Sequence, residues 1–147
     1  AGIVLRTSWL YSPYGNNFVK TMLRLGSERE QLNVVNNQIG TPTYAYDLAR
    51  VIVAICLDKK YKEKNGVYHM SNEGVASWYD FACSIMEYGK KDCVVKPISD
   101  SAYPTPAKRP NYSVLDKTKI KEQFGIEIPY WRDSLKQCIK ILKEHES

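Results

Sequence analysis

The sequence lacks most of the signatures from which chemistry is usually read. None of its eight glycines stands in a G-x-x-G or G-x-G pair and there is no Walker motif, so the turn that cradles the phosphates of a dinucleotide or a nucleoside triphosphate is missing. Its four cysteines, Cys56, Cys83, Cys93 and Cys138, form no Cys-x-x-Cys pair, which argues against a zinc site or a redox motif. Cys56, Cys83 and Cys138 fall on or beside apolar helix faces, and buried free thiols are expected there. Of the two histidines, His69 lies in a predicted strand and His145 near the C-terminal end, and neither has an evident nucleophile or acid partner. No carboxylate pair is spaced for glycosidic chemistry. None of the eleven tyrosines is followed four residues later by lysine, so the Tyr-x-x-x-Lys pair that gives a proton to a carbonyl is absent. By its own content the chain is expected to be unable to transfer hydride. No apolar run approaches the ~20 residues needed to cross a bilayer. Without the basic region and cleavage site of a signal peptide, a cytoplasmic location with no membrane partner is expected.

What is present is the composition of an ordinary globular domain: 147 residues, 44% hydrophobic and 25% charged, without repeats or low-complexity tracts. A chain of this length buries roughly two thirds of the surface its unfolded form exposes. The net charge of +5 raises the question of a nucleic-acid partner. Most lysines, however, sit in "DKKYKEKN", "KTKIKE" and the last helix, interspersed with acids, which is the pattern of a solvated face. No nucleic acid is expected.

The hydrophobic pattern alternates strand and helix from end to end, which places the chain in the α/β class. Residues 3–11, with Ile3, Val4, Leu5, Trp9, Leu10 and Tyr11, read as one strand buried on both faces, of the kind found inside a parallel sheet. Phe18, Met22 and Leu25 mark an amphipathic helix ended near Gly26, and "LNVVN" a short strand. Thr43 is expected to cap a second helix carrying Leu48, Val51, Ile52 and Ile55 on its buried face. "GVYHMSN" alternates as a strand, and Ser77-x-x-Asp80 is a capping box that opens a third helix along Trp78, Phe81, Ala82, Ile85 and Met86. "CVVKPIS" is another strand, followed by "AYPTPAKRPNYSVLD", a surface segment whose three prolines hold it extended. Asp116 is expected to cap a short helix ending at Phe124-Gly125. Pro129 starts a last one along Trp131, Leu135, Cys138, Ile139 and Leu142.

Taken together, "RTSWLYSPYGNNFVKTMLRL", "NNQIGTPTYAYDLA", "GVYHMSNEG", "SWYDFA", "YPTPAKRPNYSVLD" and "WRDSLK" resemble the C-terminal half of the dTDP-4-dehydrorhamnose reductases, extended short-chain dehydrogenases/reductases. The resemblance runs from about Ile3 to Glu144. It implies an NAD(P)-binding Rossmann-like parent whose N-terminal cofactor domain, with the glycine turn and the catalytic Tyr-x-x-x-Lys, is not in this sequence. Residues 1–147 are then the C-terminal substrate-binding portion, a small mixed subdomain plus one or two strands of the parent sheet, among them residues 3–11. The whole enzyme would reduce dTDP-4-dehydro-L-rhamnose with NADPH or NADH, and this portion would supply most of the sugar-nucleotide pocket and be inactive alone. Its partners would be a dTDP-sugar nucleotide and the N-terminal Rossmann half. An orphaned central strand is also expected to promote self-association.

The same resemblance assigns roles. Trp9, at the C-terminal end of the first strand, would pack its ring on the deoxysugar; the alternative is an ordinary core tryptophan. Thr7 and Ser8 would contact the nicotinamide end of the cofactor, or serve only as strand residues. Asn16 and Asn17, at the start of the first helix, would meet the diphosphate, or one of them is simply the helix cap. Arg109, assisted by Lys108, would bind phosphate from its proline-stiffened segment; otherwise it is a surface arginine paired with a carboxylate. Gln38, Thr41 and Thr43 belong to a Gln-x-Gly-x-Pro-Thr loop. The family often has acids just ahead of that glutamine, whereas this chain has Asn36 and Asn37, so a magnesium-linked dimer is not carried over. A non-catalytic binding or regulatory module of the same superfamily is the competing reading.

Overall fold

The computed structural model describes residues 2–103 and 105–146. Its strands are β1 (Ile3–Arg6), β2 (Leu10–Tyr11), β3 (Gln31–Val35), β4 (Ile39–Gly40), β5 (Thr43–Tyr44), β6 (Gly66–His69), β7 (Ala76–Ser77) and β8 (Val94–Ile98). Its α-helices are α1 (Phe18–Glu28), α2 (Ala45–Leu57), α3 (Trp78–Gly89), α4 (Thr118–Phe124) and α5 (Trp131–His145). The strands form four pairs: β1 with β6, β2 with β5 and β3 with β8 run parallel, and β4 with β7 antiparallel. Pro97 sits in β8, whose one pairing is with β3 among the described residues, so its missing amide is tolerated at a sheet edge.

Two apolar cores result. The larger packs α1, α3 and α5 around Val19, Phe81, Ile85, Leu135 and Cys138, with Leu32 and Val34 of β3 beneath them. The smaller joins Val51 and Ile55 of α2, Tyr68 of β6, Met70 and Ile120 of α4. A buried polar knot ties the two together. Asn72 is wholly buried; its Oδ1 accepts from the Tyr44 amide at 2.8 Å and its Nδ2 donates to Asp47 Oδ2 at 2.8 Å and to Pro129 O at 3.2 Å. Ser134 Oγ donates to the same Asp47 oxygen at 2.5 Å, which fixes the starts of α2 and α5 together. Lys117, 7% exposed, extends the knot toward Ser71 Oγ, Asn72 O and Glu73. Burial pushes the pKa of its ammonium down.

Several expectations hold and several do not. Ser77 and Asp80 form the capping box in full: Ser77 Oγ accepts from the Asp80 amide and Asp80 Oδ2 from the Ser77 amide, each at 2.9 Å. Gly125 ends α4 in the left-handed conformation, as its position implied. Residues 3–11, by contrast, are two strands rather than one. The break at residues 7–9 turns the chain through Trp9, whose φ is 46°, and β1 exposes every second residue, Val4 at 54%. Gly26 does not end α1 but lies inside it, where a Cβ would stand 2.6 Å from Met86 Sδ, so glycine permits the close approach of α3. Thr43 does not cap α2. It pairs with Leu10 in a strand, Tyr44 takes the cap position without a side-chain bond, and Thr43 Oγ1 is buried with no partner among the described residues. Asp116 supports α4 from one residue further out, accepting from the Thr118 amide at 2.9 Å while Lys117 occupies the cap position. α5 begins two residues after Pro129. All four cysteines are free, but Cys83 on α3 is only half-buried and Cys56 is exposed, the latter because the α2 face carrying Cys56 and Ile52 points out of the smaller core.

Candidate functional site

Two concavities compete for attention. The larger, of about 680 Å³, lies between β1 and α2 and is walled by Ile3, Leu5, Ile52, Ile55, Cys56 and Tyr61. Its polar groups, Lys62 and Asn65 beside Tyr61, fall on one stretch of chain and the rest of the wall is mainly apolar, which suits a packing surface better than a polar ligand. The other, of about 480 Å³, has the mixed lining of a ligand cleft: Phe18, Val35, Trp78 and Tyr103 on its apolar side, with Gln38, Asp100, Thr105, Lys108 and Arg109 supplying polar groups.

Four pieces of the chain build this cleft. Phe18 opens α1 and Trp78 opens α3, so two helix starts meet with their rings 4.9 Å apart. The β3–β4 link brings Gln38, and the proline segment brings Lys108 and Arg109. That segment is anchored by main-chain bonds to β4: the Ile39 amide donates to Asn111 O at 2.7 Å and the Ser113 amide to Ile39 O at 2.8 Å. Residues 105–112 are exposed, as the prolines implied. Among the described residues neither Arg109 nor Lys108 forms an ion pair, so their positive charge is uncommitted. The cleft's one acid is committed: Asp100 Oδ1 accepts from Asn37 Nδ2 at 2.9 Å and Oδ2 from Gln38 Nε2 at 3.4 Å. These bonds, Asn37's foremost, hold its pKa below the usual carboxylate range.

The structure brings some of the expected residues together and keeps others apart. Lys108 and Arg109 share the cleft with the first turn of α1. Asn17 is the cap of that helix, its Oδ1 accepting from the Lys20 amide at 3.2 Å and its Nδ2 donating to Ser12 O at 2.7 Å; Asn16 beside it is exposed. Trp9 is half-buried and stacks on Trp78, ring centroids 3.8 Å apart and planes 16° from parallel, so one face of its indole is already covered. Thr7 is exposed beyond the end of β1, whereas Ser8 Oγ donates to Thr41 O at 2.8 Å. Thr41 Oγ1 in turn donates to Gly74 O at 2.6 Å, which makes the 38–44 loop a hub of local bonds. The hydrophobic pattern puts Phe18 and Trp78 on core faces and gives no sign of Asp100 or Tyr103. Only the position of Asp100 just past the end of β8, at a sheet's C-terminal edge, could have drawn notice. Among the described residues no group of three or more His, Cys, Asp or Glu is placed to hold a metal ion, and no helix is long and apolar enough to cross a membrane.

Comparison with known proteins places the chain in a family. The chain is 47% identical to the dTDP-4-dehydrorhamnose reductase of Aggregatibacter actinomycetemcomitans over 142 residues, which is 91% of this chain and 48% of that protein. It is 39% identical to the spore coat polysaccharide biosynthesis protein SpsK of Bacillus subtilis, covering 93% of this chain and 46% of that one. Among solved structures, the dTDP-4-dehydrorhamnose reductase of Clostridium acetobutylicum superposes with a TM-score of 0.88 at 41% identity, over 96% of this chain and 49% of its own. The Bacillus anthracis reductase, solved with NADP, gives 0.87 at 40%, over 95% and 48%. A UDP-glucuronic acid 4-epimerase of Bacillus cereus, at 18% identity, shares the fold alone, with a TM-score of 0.75. The chain spans about half the length of the curated relatives it matches. The model of the RmlD substrate binding domain matches residues 1–144, and the chain belongs to that family.

Proposed function

We propose that this chain is the sugar-nucleotide-binding portion of a reductase that converts dTDP-4-dehydro-L-rhamnose to dTDP-L-rhamnose with NADPH or NADH. One observation carries the reading: a single cleft joins two uncommitted cations, Lys108 and Arg109, to the aromatic pair Phe18 and Trp78, with Trp9 stacked behind. Cations answer a diphosphate, Arg109 with paired donors, and flat rings answer a base and a sugar face. Asn16 is the exposed asparagine at the cleft's helix start, and Asn17 holds that turn in shape while offering the same edge.

Residues 1–147 would act together with an N-terminal Rossmann half. Among the described residues β1 pairs only with β6, and the apolar groove beside it, continued by exposed Ile52, Val53 and Leu57 of α2, is the surface that half would cover. Uncovered, the same surface favours self-association. The residues present do not form a nicotinamide site. The four glycines with positive φ, Gly15, Gly66, Gly74 and Gly125, are scattered, Ser8 spends its hydroxyl on Thr41, and Thr7 alone keeps a free one at the end of β1. Proton and hydride steps therefore belong to the other half, and this chain's part is to bind and orient the sugar nucleotide in the cytoplasm.

Titration calorimetry with dTDP tests the proposal. Saturable 1:1 binding that is weakened in Arg109→Ala supports it. Absence of binding, or salt-sensitive binding to DNA or RNA in its place, would overturn it.

A further inference from the structure

We propose that Trp78 is a positioning residue that clamps Trp9 in the orientation in which its ring meets the sugar. The inference rests on the reading of Trp9 as a sugar-facing residue, and it adds how that ring is held.

Trp9 has a left-handed backbone, φ 46°, which costs a non-glycine residue on the order of 1–2 kcal/mol and persists only where surroundings over-determine it. The surroundings do so from two directions. The Thr43 amide donates to Trp9 O at 3.0 Å and Ser8 Oγ to Thr41 O at 2.8 Å, so the 40–44 loop grips the main chain on both sides of the ring. The indole itself is stacked on Trp78 at 3.8 Å, and its Cζ2–Cε2 bond abuts Gly40, where a Cβ would stand 2.8 Å from Cζ2 and 2.9 Å from Cε2. Gly40 is glycine because Trp9 occupies the space a side chain would need.

Trp78 is in turn held from two sides. It is the first residue of α3, directly behind the capping box of Ser77 and Asp80, and Ser77 is held in register with Ile39 by the β4–β7 pair. Phe18 packs on its ring from α1. Because Trp78 also lines the cleft that contains Arg109, it couples the ring expected at the sugar to the charge expected at the diphosphate. This arrangement predicts a separation by ligand: loosening the clamp should weaken recognition of the sugar and spare the nucleotide.

The test uses the chain with dTDP and dTDP-L-rhamnose as calorimetric probes and three variants, with Trp9→Phe added for spectroscopy. Gly40→Ala should weaken dTDP-L-rhamnose about five- to tenfold, the scale of one aromatic contact, while dTDP affinity stays within about twofold; Trp78→Leu, whose ring also lines the cleft, should lose affinity for both ligands but several-fold more for dTDP-L-rhamnose. Trp78→Phe, which keeps a flat ring, should restore most of the difference. Independently, the stacked indoles should give an exciton-split circular dichroism band that disappears in Trp78→Phe and in Trp9→Phe. If Trp78→Leu does not fold, Gly40→Ala carries the test, since that position has no positive φ and the new Cβ would press chiefly on the ring, with Ser113 Oγ the next atom at 3.1 Å. Unchanged dTDP-L-rhamnose affinity in the folded variants, or an equal loss for both ligands, overturns the clamp. So does a wild-type spectrum without the split band. Wild-type binding of neither ligand would instead sink the functional reading itself, and the split band would then decide by its presence or absence whether the two indoles are clamped.

Discussion

Replacing Asn72 with alanine removes the centre of the polar knot, and the structure gives the size of the effect. Asn72 Oδ1 is the partner of the Tyr44 amide at the start of α2, and Nδ2 reaches both Asp47 and Pro129 O. An ordinary buried hydrogen bond is worth about 1 kcal/mol and a buried donor left without a partner costs about 1–3 kcal/mol. Orphaning the Tyr44 amide, at about 1–3 kcal/mol, and losing two donated bonds from Nδ2, which also reaches Ser134 Oγ, at about 1 kcal/mol each, together comes to about 3–5 kcal/mol, with the vacated side-chain volume adding to it. Against a total stability of about 5–15 kcal/mol that is a large fraction. With a urea slope of about 2 kcal/mol/M, the midpoint should fall by about 1.5–2.5 M. Ser134→Ala, which removes the donor to Asp47 at 2.5 Å but leaves the Tyr44 amide satisfied, should fall by about half as much. The measurement is urea unfolding followed by far-ultraviolet circular dichroism. Midpoints within about 0.3 M of wild type for both variants, on the order of 0.6 kcal/mol at that slope, would refute the view that this knot holds the two cores together.

Arg109→Ala should weaken dTDP by the loss of a charge-assisted contact, ~1.5–3 kcal/mol or roughly ten- to a hundredfold, and calorimetry at two salt concentrations should show the difference shrinking as salt rises. Gly74→Ala should destabilise by about 2–4 kcal/mol in thermal unfolding, because φ is 98° and the new Cβ would meet the Tyr130 ring at 2.5 Å and Trp131 Cδ1 at 2.7 Å. Asn37→Ala should raise the pKa of Asp100 toward the ordinary carboxylate value, read by NMR titration. Since the folded value is depressed, the stability Asp100 contributes is present above the ordinary carboxylate range and lost as pH falls through its lowered value. Among the thiols, exposed Cys56 should react first with Ellman's reagent at mildly alkaline pH, while Cys138, buried and pushed up to about 12, should react only on unfolding. The chain alone should bind neither NADPH nor NADH, and tight binding of either by calorimetry would contradict the division of labour proposed above.

The elements legible in the sequence are those whose cause is local. The Ser77–Asp80 box, the stop at Gly125 and the apolar stripe of α5 each depend on residues within a turn or two of one another, and each stands where the pattern put it. What escapes reading depends on partners far away in the chain. Gly26 looks like a helix end because glycine often is one, but its role is set by Met86 on another helix. The break at Trp9 is imposed by Gly40 and Thr43, and Thr43 is a strand residue rather than a cap because Leu10 pairs with it. Lys117, which by its neighbours belongs to a solvated face, is buried because Asn72 O, Ser71 and Glu73 receive its ammonium. In the cleft, Arg109 and Lys108 are legible as charges on a stiff segment. Asp100 is not, since nothing in "ISDSA" reveals that Asn37 and Gln38, some sixty residues earlier, will bind it.

The pairing of the strands sets how this chain must fold. No hairpin joins the described strands: Ile3 meets Gly66, Leu10 meets Thr43, Gln31 meets Val94, and even the antiparallel pair joins Ile39 to Ser77. Each ladder must close a loop of more than thirty residues before its first bond forms, so entropy is lost well ahead of any return. Helices such as α3 and α5 should appear early after dilution from denaturant, and the sheet pairs late, placing refolding toward the slow, millisecond-to-second end for a chain of this size.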